Sequence, residues 1–283
     1  MAATPTRAKK RLGAYLRGLR ERAGLILRDA TKELRLSADA VVSRYESGHN
    51  RPPWSSVAAL LTLYDATAEE RTKAVALWEE AGVATPQVRL PAGAPKTFRE
   101  LVRAEQEASR ARIVAPVVVP GLLQTANYAR EVHASAQQSL DQAANVDAFV
   151  AARLERQKLL EDGSFRLHAV LAEATLRQLV GGAEVMREQL EHLLTIGKKA
   201  NVTIQAVPFS AGAYGGMSGG CTILDYDGDD PSTAYLEYPA GGAWVDNEGD
   251  VQHLSAMFTS VSKNKALPPA GTVELIRRVV REL

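Results

Sequence analysis

With 283 residues, 46% hydrophobic and 24% charged, the chain is long enough for a small module plus a larger domain, each with its own buried core. The lone cysteine, Cys221, excludes an intramolecular disulfide framework and a thiolate-built zinc site, and His49, His133, His168, His192 and His253 stand too far apart to form a spaced ligand pair. The net charge of +1 hides an asymmetry: residues 1–66 carry twelve Lys or Arg against six Asp or Glu, whereas residues 67–283 carry 22 against 27.

A cationic front on a mildly acidic body suits a polyanionic partner at one end, because each neutralised phosphate releases condensed counterions. No apolar run reaches bilayer length, and residues 1–11 are polar and basic rather than signal-like, so a cytoplasmic protein without a membrane partner is expected. No metal and no cofactor is expected either.

In chain order, Leu12, Tyr15, Leu16 and Leu19 recur at helical spacing, and Gly24 stops a helix expected over about residues 8–22. A second helix is expected over 27–35. Ser37 is a good N-cap for a third, which turns Val41, Val42 and Tyr45 inward and ends at Gly48 in the left-handed conformation. Pro52 and Pro53 open a fourth, 54–64, and Thr67 caps a fifth that runs to Gly82. Three prolines and a glycine within 84–96 read as a linker. Beyond it, helices are expected over 98–112, 126–136, 145–160, 185–198, 251–262 and 272–281. Strands are expected over 165–171, 202–209, 222–226 and 233–238. The fold class is therefore α+β: an all-α five-helix head, residues 1–83, and a larger mixed α+β domain, residues 97–283.

Short helices, a basic surplus and a tight turn leading into a capped helix are what a helix-turn-helix head requires. Leu12-Gly13, Leu19-Arg20 through Gly24-Leu25, Ser43-Arg44-Tyr45-Glu46-Ser47-Gly48 and Arg51-Pro52 closely resemble the Cro-type, or xenobiotic-response-element type, regulators. Past the linker, Val119-Pro120-Gly121-Leu122-Leu123-Gln124-Thr125 with Tyr128-Ala129-Arg130 resembles the signature of a control domain of actinobacterial two-part regulators. Val170-Leu171-Ala172-Glu173 and Val202-Thr203-Ile204-Gln205 extend that match. The resemblance implies a transcriptional regulator of development or secondary metabolism, encoded beside a small partner protein in an antitoxin-like arrangement. A homodimer on double-stranded DNA is expected, with a small-molecule effector as a further option.

Arg44 is the strongest candidate for a base contact, since its two parallel donors match guanine O6 and N7; a phosphate contact or a salt bridge with Glu46 is the alternative. Ser43 and Ala40 should share that surface, and Asp39 either accepts from cytosine N4 or points away. Arg28, Asn50 and Arg51 are placed to hold phosphates. Two registers are compatible with residues 37–42. Counting back from Ser43 puts Leu36 at the turn position that relatives fill with glycine, while counting forward from Gly24 puts Ser37 at the cap.

Two competing functions share these residues. Gly216-Met217-Ser218-Gly219-Gly220 matches a nucleophile elbow, with Asp225 or Asp246 and His253 following in hydrolase order, but an elbow needs a strand before the serine and a helix after it. Here a glycine-rich loop precedes and a strand is expected to follow, so no enzyme is expected. The other reading is a head that binds a protein partner instead of DNA. Leu122 and Leu123 are expected to pack inside and Thr125 to cap the next helix, a structural use of that motif.

Overall fold

Leu12, Leu16 and Leu19 form the buried stripe of the first helix, α1 (Arg7–Arg22), in a computed structural model that describes residues 6–82, 88, 90–91, 94–138, 146–161, 163–228, 230–238 and 241–283. The expected linker, 84–96, falls largely outside these residues. The chain divides into two units, Met1–Thr85 and Pro86–Leu283. No helix among the described residues is long and apolar enough to cross a membrane.

In the first unit α1 is followed by α2 (Leu27–Glu33), α3 (Asp39–Glu46), α4 (Trp54–Leu63) and α5 (Ala68–Glu80). Gly24 and Gly48 take left-handed conformations at the ends of α1 and α3, where a Cβ is penalised. Thr67 caps α5 through a reciprocal pair of hydrogen bonds with Glu70. Val42, Val57, Leu60, Leu61 and Tyr64 close the core over the leucines of α1. One expectation is corrected here. Ser37 does not cap α3: Ala38 occupies the N-cap without a side-chain bond, and the left-handed turn residue is Arg35, at φ 52°.

The second unit is built on a six-stranded mixed sheet in the order β3-β2-β1-β4-β5-β6. Its strands are β1 (Arg110–Ala115), β2 (Arg166–Ala172), β3 (Val202–Val207), β4 (Cys221–Asp225), β5 (Thr233–Tyr238) and β6 (Gly241–Val245). The pairs β1–β2 and β2–β3 are parallel; β1–β4, β4–β5 and β5–β6 are antiparallel. Alternation along the strands splits their side chains between two cores. Ile113, Leu167, Ala169, Ile204 and Leu224 face one layer of helices, while Val114, Val170, Val207 and Ile223 face Phe258 and Val261.

The first layer contains α6 (Lys96–Glu107), α7 (Ala126–Gln138), α10 (Gly182–Ile196) and α12 (Pro269–Glu282), and the second is α11 (Glu248–Asn264). Between β1 and β2 the chain also forms α8 (Val146–Gln157), and after β2 the short α9 (Glu173–Arg177). The fold is α+β, with three departures from expectation: residues 110–112 leave the helix and open β1, and α9 and β6 are additional elements. The arginines of β1 are tolerated because Arg110 and Arg112 both donate to the Asp225 carboxylate of the neighbouring β4, at 2.7–2.9 Å.

Candidate nucleic-acid interface

The position of α3 is set by contacts on its inner side. Val42 is fully buried, and at Gly13 the backbones of α1 and α3 meet so closely that a Cβ would stand 2.4 Å from the Tyr45 carbonyl oxygen. Glu46 and Arg20 close this joint with a buried two-pronged ion pair, Nε–Oε1 at 2.6 Å and Nη2–Oε2 at 2.9 Å; Arg20 also donates to the Leu25 carbonyl at 2.7 Å. At the far end Gly48 lies against the backbone of Lys9 and Lys10. The helix is thus fixed on one side by backbone approach and by charge.

Its other side faces solvent. Asp39, Ala40, Ser43, Arg44 and Ser47 are all exposed, and at about 100° per residue they span an arc of about 140°. Ala40, Ser43 and Ser47 are small, which lets the helix approach another surface closely. The Arg44 side chain makes no hydrogen bond or ion pair among the described residues, and its expected alternative partner Glu46 is committed to Arg20. Ser47 Oγ donates back to the Ser43 carbonyl at 2.7 Å and meets His49 Nδ1 at 2.8 Å, tightening the end of the helix.

The remaining candidates are placed unequally. Arg28 is exposed in the first turn of α2, with Lys32 one turn further along and also exposed; neither forms an ion pair among the described residues. Ser37 is exposed in the turn before α3, and Asn50, also exposed, is tied by its backbone N–H to the Arg44 carbonyl at 3.1 Å. Arg51 departs from expectation. Its Nε and Nη2 donate to the Trp78 carbonyl at 3.0 and 2.8 Å and its guanidinium stacks 3.6 Å from the Trp78 ring centre, so it joins the start of α4 to the end of α5.

In the second unit, Gly121–Leu123 form a single tight turn with Leu122 and Leu123 buried, and Thr125 Oγ1 accepts from Tyr128 N at 3.3 Å to cap α7. Glutamines hold this turn. Gln189 accepts from Thr125 N and donates to the Leu123 carbonyl, Gln157 donates to the Gly121 and Gln124 carbonyls, and Gln124 donates to the Val119 carbonyl. Nothing in the sequence spacing pointed to Gln157 and Gln189 as its supports. The Ser218 loop leads directly into β4, and Asp225 is bonded to Arg110, Arg112 and Ser232.

Comparison with known proteins agrees with this division. A family model described as a helix-turn-helix domain matches residues 11–74, and one described as a domain of unknown function (DUF5753) matches residues 98–278. No curated protein and no solved structure matches the chain. The first unit is therefore a helix-turn-helix head of the kind that binds DNA, and the chain belongs to the DUF5753 domain family.

Proposed function

We propose that the chain is a sequence-specific DNA-binding transcriptional regulator that works by binding and not by catalysis. In this reading α2 crosses the phosphate backbone and α3 enters the major groove with Ala40, Ser43 and Arg44 toward base edges, Asp39 toward a cytosine amine, and Arg28, Ser37 and Asn50 at the flanks. The observation that carries it is the two-sidedness of α3. One side is locked to α1 by Gly13 and the Arg20–Glu46 pair, while the other presents small side chains and an uncommitted arginine.

A homodimer is part of this reading, since two heads on a two-fold operator would engage half-sites about 34 Å apart. Residues 97–283 would then act as the control domain: dimerising, binding a small partner protein encoded nearby in an antitoxin-like arrangement, sensing an effector, or combining these roles. The link to development or secondary metabolism rests on the family resemblance of the second unit's motifs, and a cytoplasmic location suits a head that binds DNA. Against a hydrolase stands the Ser218 loop, which is followed by a strand instead of the helix an elbow needs.

Selection of sheared genomic DNA by purified full-length protein at low salt, followed by sequencing, tests the reading. Enrichment of a two-fold motif supports it. Recovery of no fragment, together with capture of a protein partner that survives nuclease, would replace DNA with a protein as the ligand of the head.

A further inference from the structure

The second unit encloses a cavity of about 470 Å³ between α6, the C-terminal half of α8, the Pro120–Thr125 turn, the Ser218 loop and β5. That volume is in the range of small-molecule sites. Its mouth is ringed by apolar side chains left in water: Val117 is 65% exposed, Val118 39%, Met217 55% and Tyr238 52%. Further in, Phe98, Leu101, Ile113 and Leu122 continue an apolar wall.

Two arginines of α8 line the cavity, Arg156 buried and Arg153 half-buried, and they differ in charge balance. Arg156 is neutralised by Glu105, which accepts from both Nε and Nη2 at 2.8 and 2.7 Å with both side chains buried. Arg153 has no carboxylate within 4 Å among the described residues. It donates from Nη1 to Gln124 Oε1 at 2.5 Å, and its buried Nε has no hydrogen-bond partner among the described residues. Burial and the repulsion of Arg156 bring its pKa down to about 10, against the attraction of Glu237, Glu105 and Tyr128. A guanidinium held in that state is costly unless a counter-charge reaches it. Gly121 lies against both cations, since a Cβ there would stand 3.4 Å from Arg153 Nε and 3.6 Å from Arg156 Nη1.

We propose that this cavity binds a small carboxylic acid with an apolar body, the carboxylate on Arg153 and the body along the apolar wall. The charge count selects a monoanion. Glu105 already balances Arg156, leaving one positive charge inside, and Glu237 at the exposed rim disfavours a second negative charge on the ligand. A planar carboxylate can also take two parallel bonds from one guanidinium. The Pro120–Thr125 motif then has two uses, as the cap of α7 and as part of the wall of the site. This deepens the control-domain reading and rests on it. Binding is measured without DNA, so failure here leaves the head's own assay untouched.

The test is calorimetric titration of the full chain with decanoate and with its uncharged counterpart decanamide. Decanoate is expected to bind at least tenfold more tightly, and Arg153→Met is expected to abolish that preference while decanamide affinity changes less than twofold. Met217→Glu, at an exposed position, is expected to weaken decanoate at least fivefold without disturbing the fold, so the proposal stays testable even if the Arg153 variant misfolds. Equal affinity for acid and amide, binding of neither, tighter binding of decyl phosphate than of decanoate, or an acid preference that survives Arg153→Met would each overturn it.

Discussion

Glu46→Ala removes one half of the joint between α1 and α3 and leaves Arg20, only 7% exposed, with no carboxylate except that of exposed Glu21, 3.6 Å from its Nη2. Breaking one partner out of a buried ion pair costs about 3–5 kcal/mol. A head of this size is expected to be stable by roughly 4–11 kcal/mol, so the single change should consume a large part of the total. Replacing both partners by apolar residues, as in Arg20→Met with Glu46→Leu, removes the uncompensated charge. The double variant should therefore recover most of the loss, short of about 1 kcal/mol for the Leu25 carbonyl that Arg20 also serves. Urea melts of the full chain in a Trp244→Phe background report the head through the Trp54–Trp78 pair, whose ring centres are 5.4 Å apart. If Glu46→Ala costs less than about 1 kcal/mol, or the double variant is no better than the single one, then charge is not what fixes α3.

Other consequences are open to the same melts. Tyr64 is buried and its hydroxyl has no hydrogen-bond partner among the described residues, so Tyr64→Phe should raise head stability by about 1 kcal/mol; a loss of that size would mean the hydroxyl is satisfied after all. Arg51→Ala should cost the head about 2 kcal/mol, through its lost Trp78 contacts, and leave the salt dependence of DNA binding as it was. A log–log salt slope reduced by about one, with unchanged stability, would instead return Arg51 to the phosphates. In the second unit burial raises the pKa of Asp225, but hydrogen bonds from Arg112, Ser232 and Arg110 outweigh it and hold the carboxyl below its ordinary 3.8. That stabilisation is complete above 3.8 and is lost as the pH falls through the depressed folded value. Asp225→Asn should therefore flatten the acid limb of a stability profile read from Trp244 in a separate Trp54→Phe, Trp78→Phe background, and an unchanged limb would show that other groups set it.

The helices of the head could be read from sequence because their signals are local: leucines at helical spacing, glycines at helix ends, and Thr67 as a cap with Glu70 behind it. The turn before α3 could not. Its left-handed residue is an arginine, so no glycine marks the place, and Ser37 offered a good cap that the backbone does not use. β1 was hidden for an electrostatic reason, because the two arginines that extend the amphipathic pattern of α6 are satisfied by Asp225 and, for Arg112, also by Ser255, both more than a hundred residues away in sequence. β6 was hidden by its glycines, which weaken strand propensity. Yet Gly242 must lack a side chain, since a Cβ there would stand 2.0 Å from the Tyr235 hydroxyl. Arg51 stands beside the interface in sequence and beside Trp78 in space, and only the fold reveals the second neighbour. The cavity is less legible still: its walls come from six separate stretches of chain, and what singles out Arg153 from Arg156 is which of them Glu105 reaches.

Whether the outward side of α3 reads DNA is decided by titrating the selected operator with full-length wild-type and Arg44→Ala protein at several salt concentrations. Wild-type binding should weaken steeply with salt, and Arg44→Ala should lose roughly 5- to 150-fold in operator affinity. Binding to unrelated DNA should be far less affected. Equal operator affinity for the two proteins, or wild-type binding indifferent to salt, would contradict it.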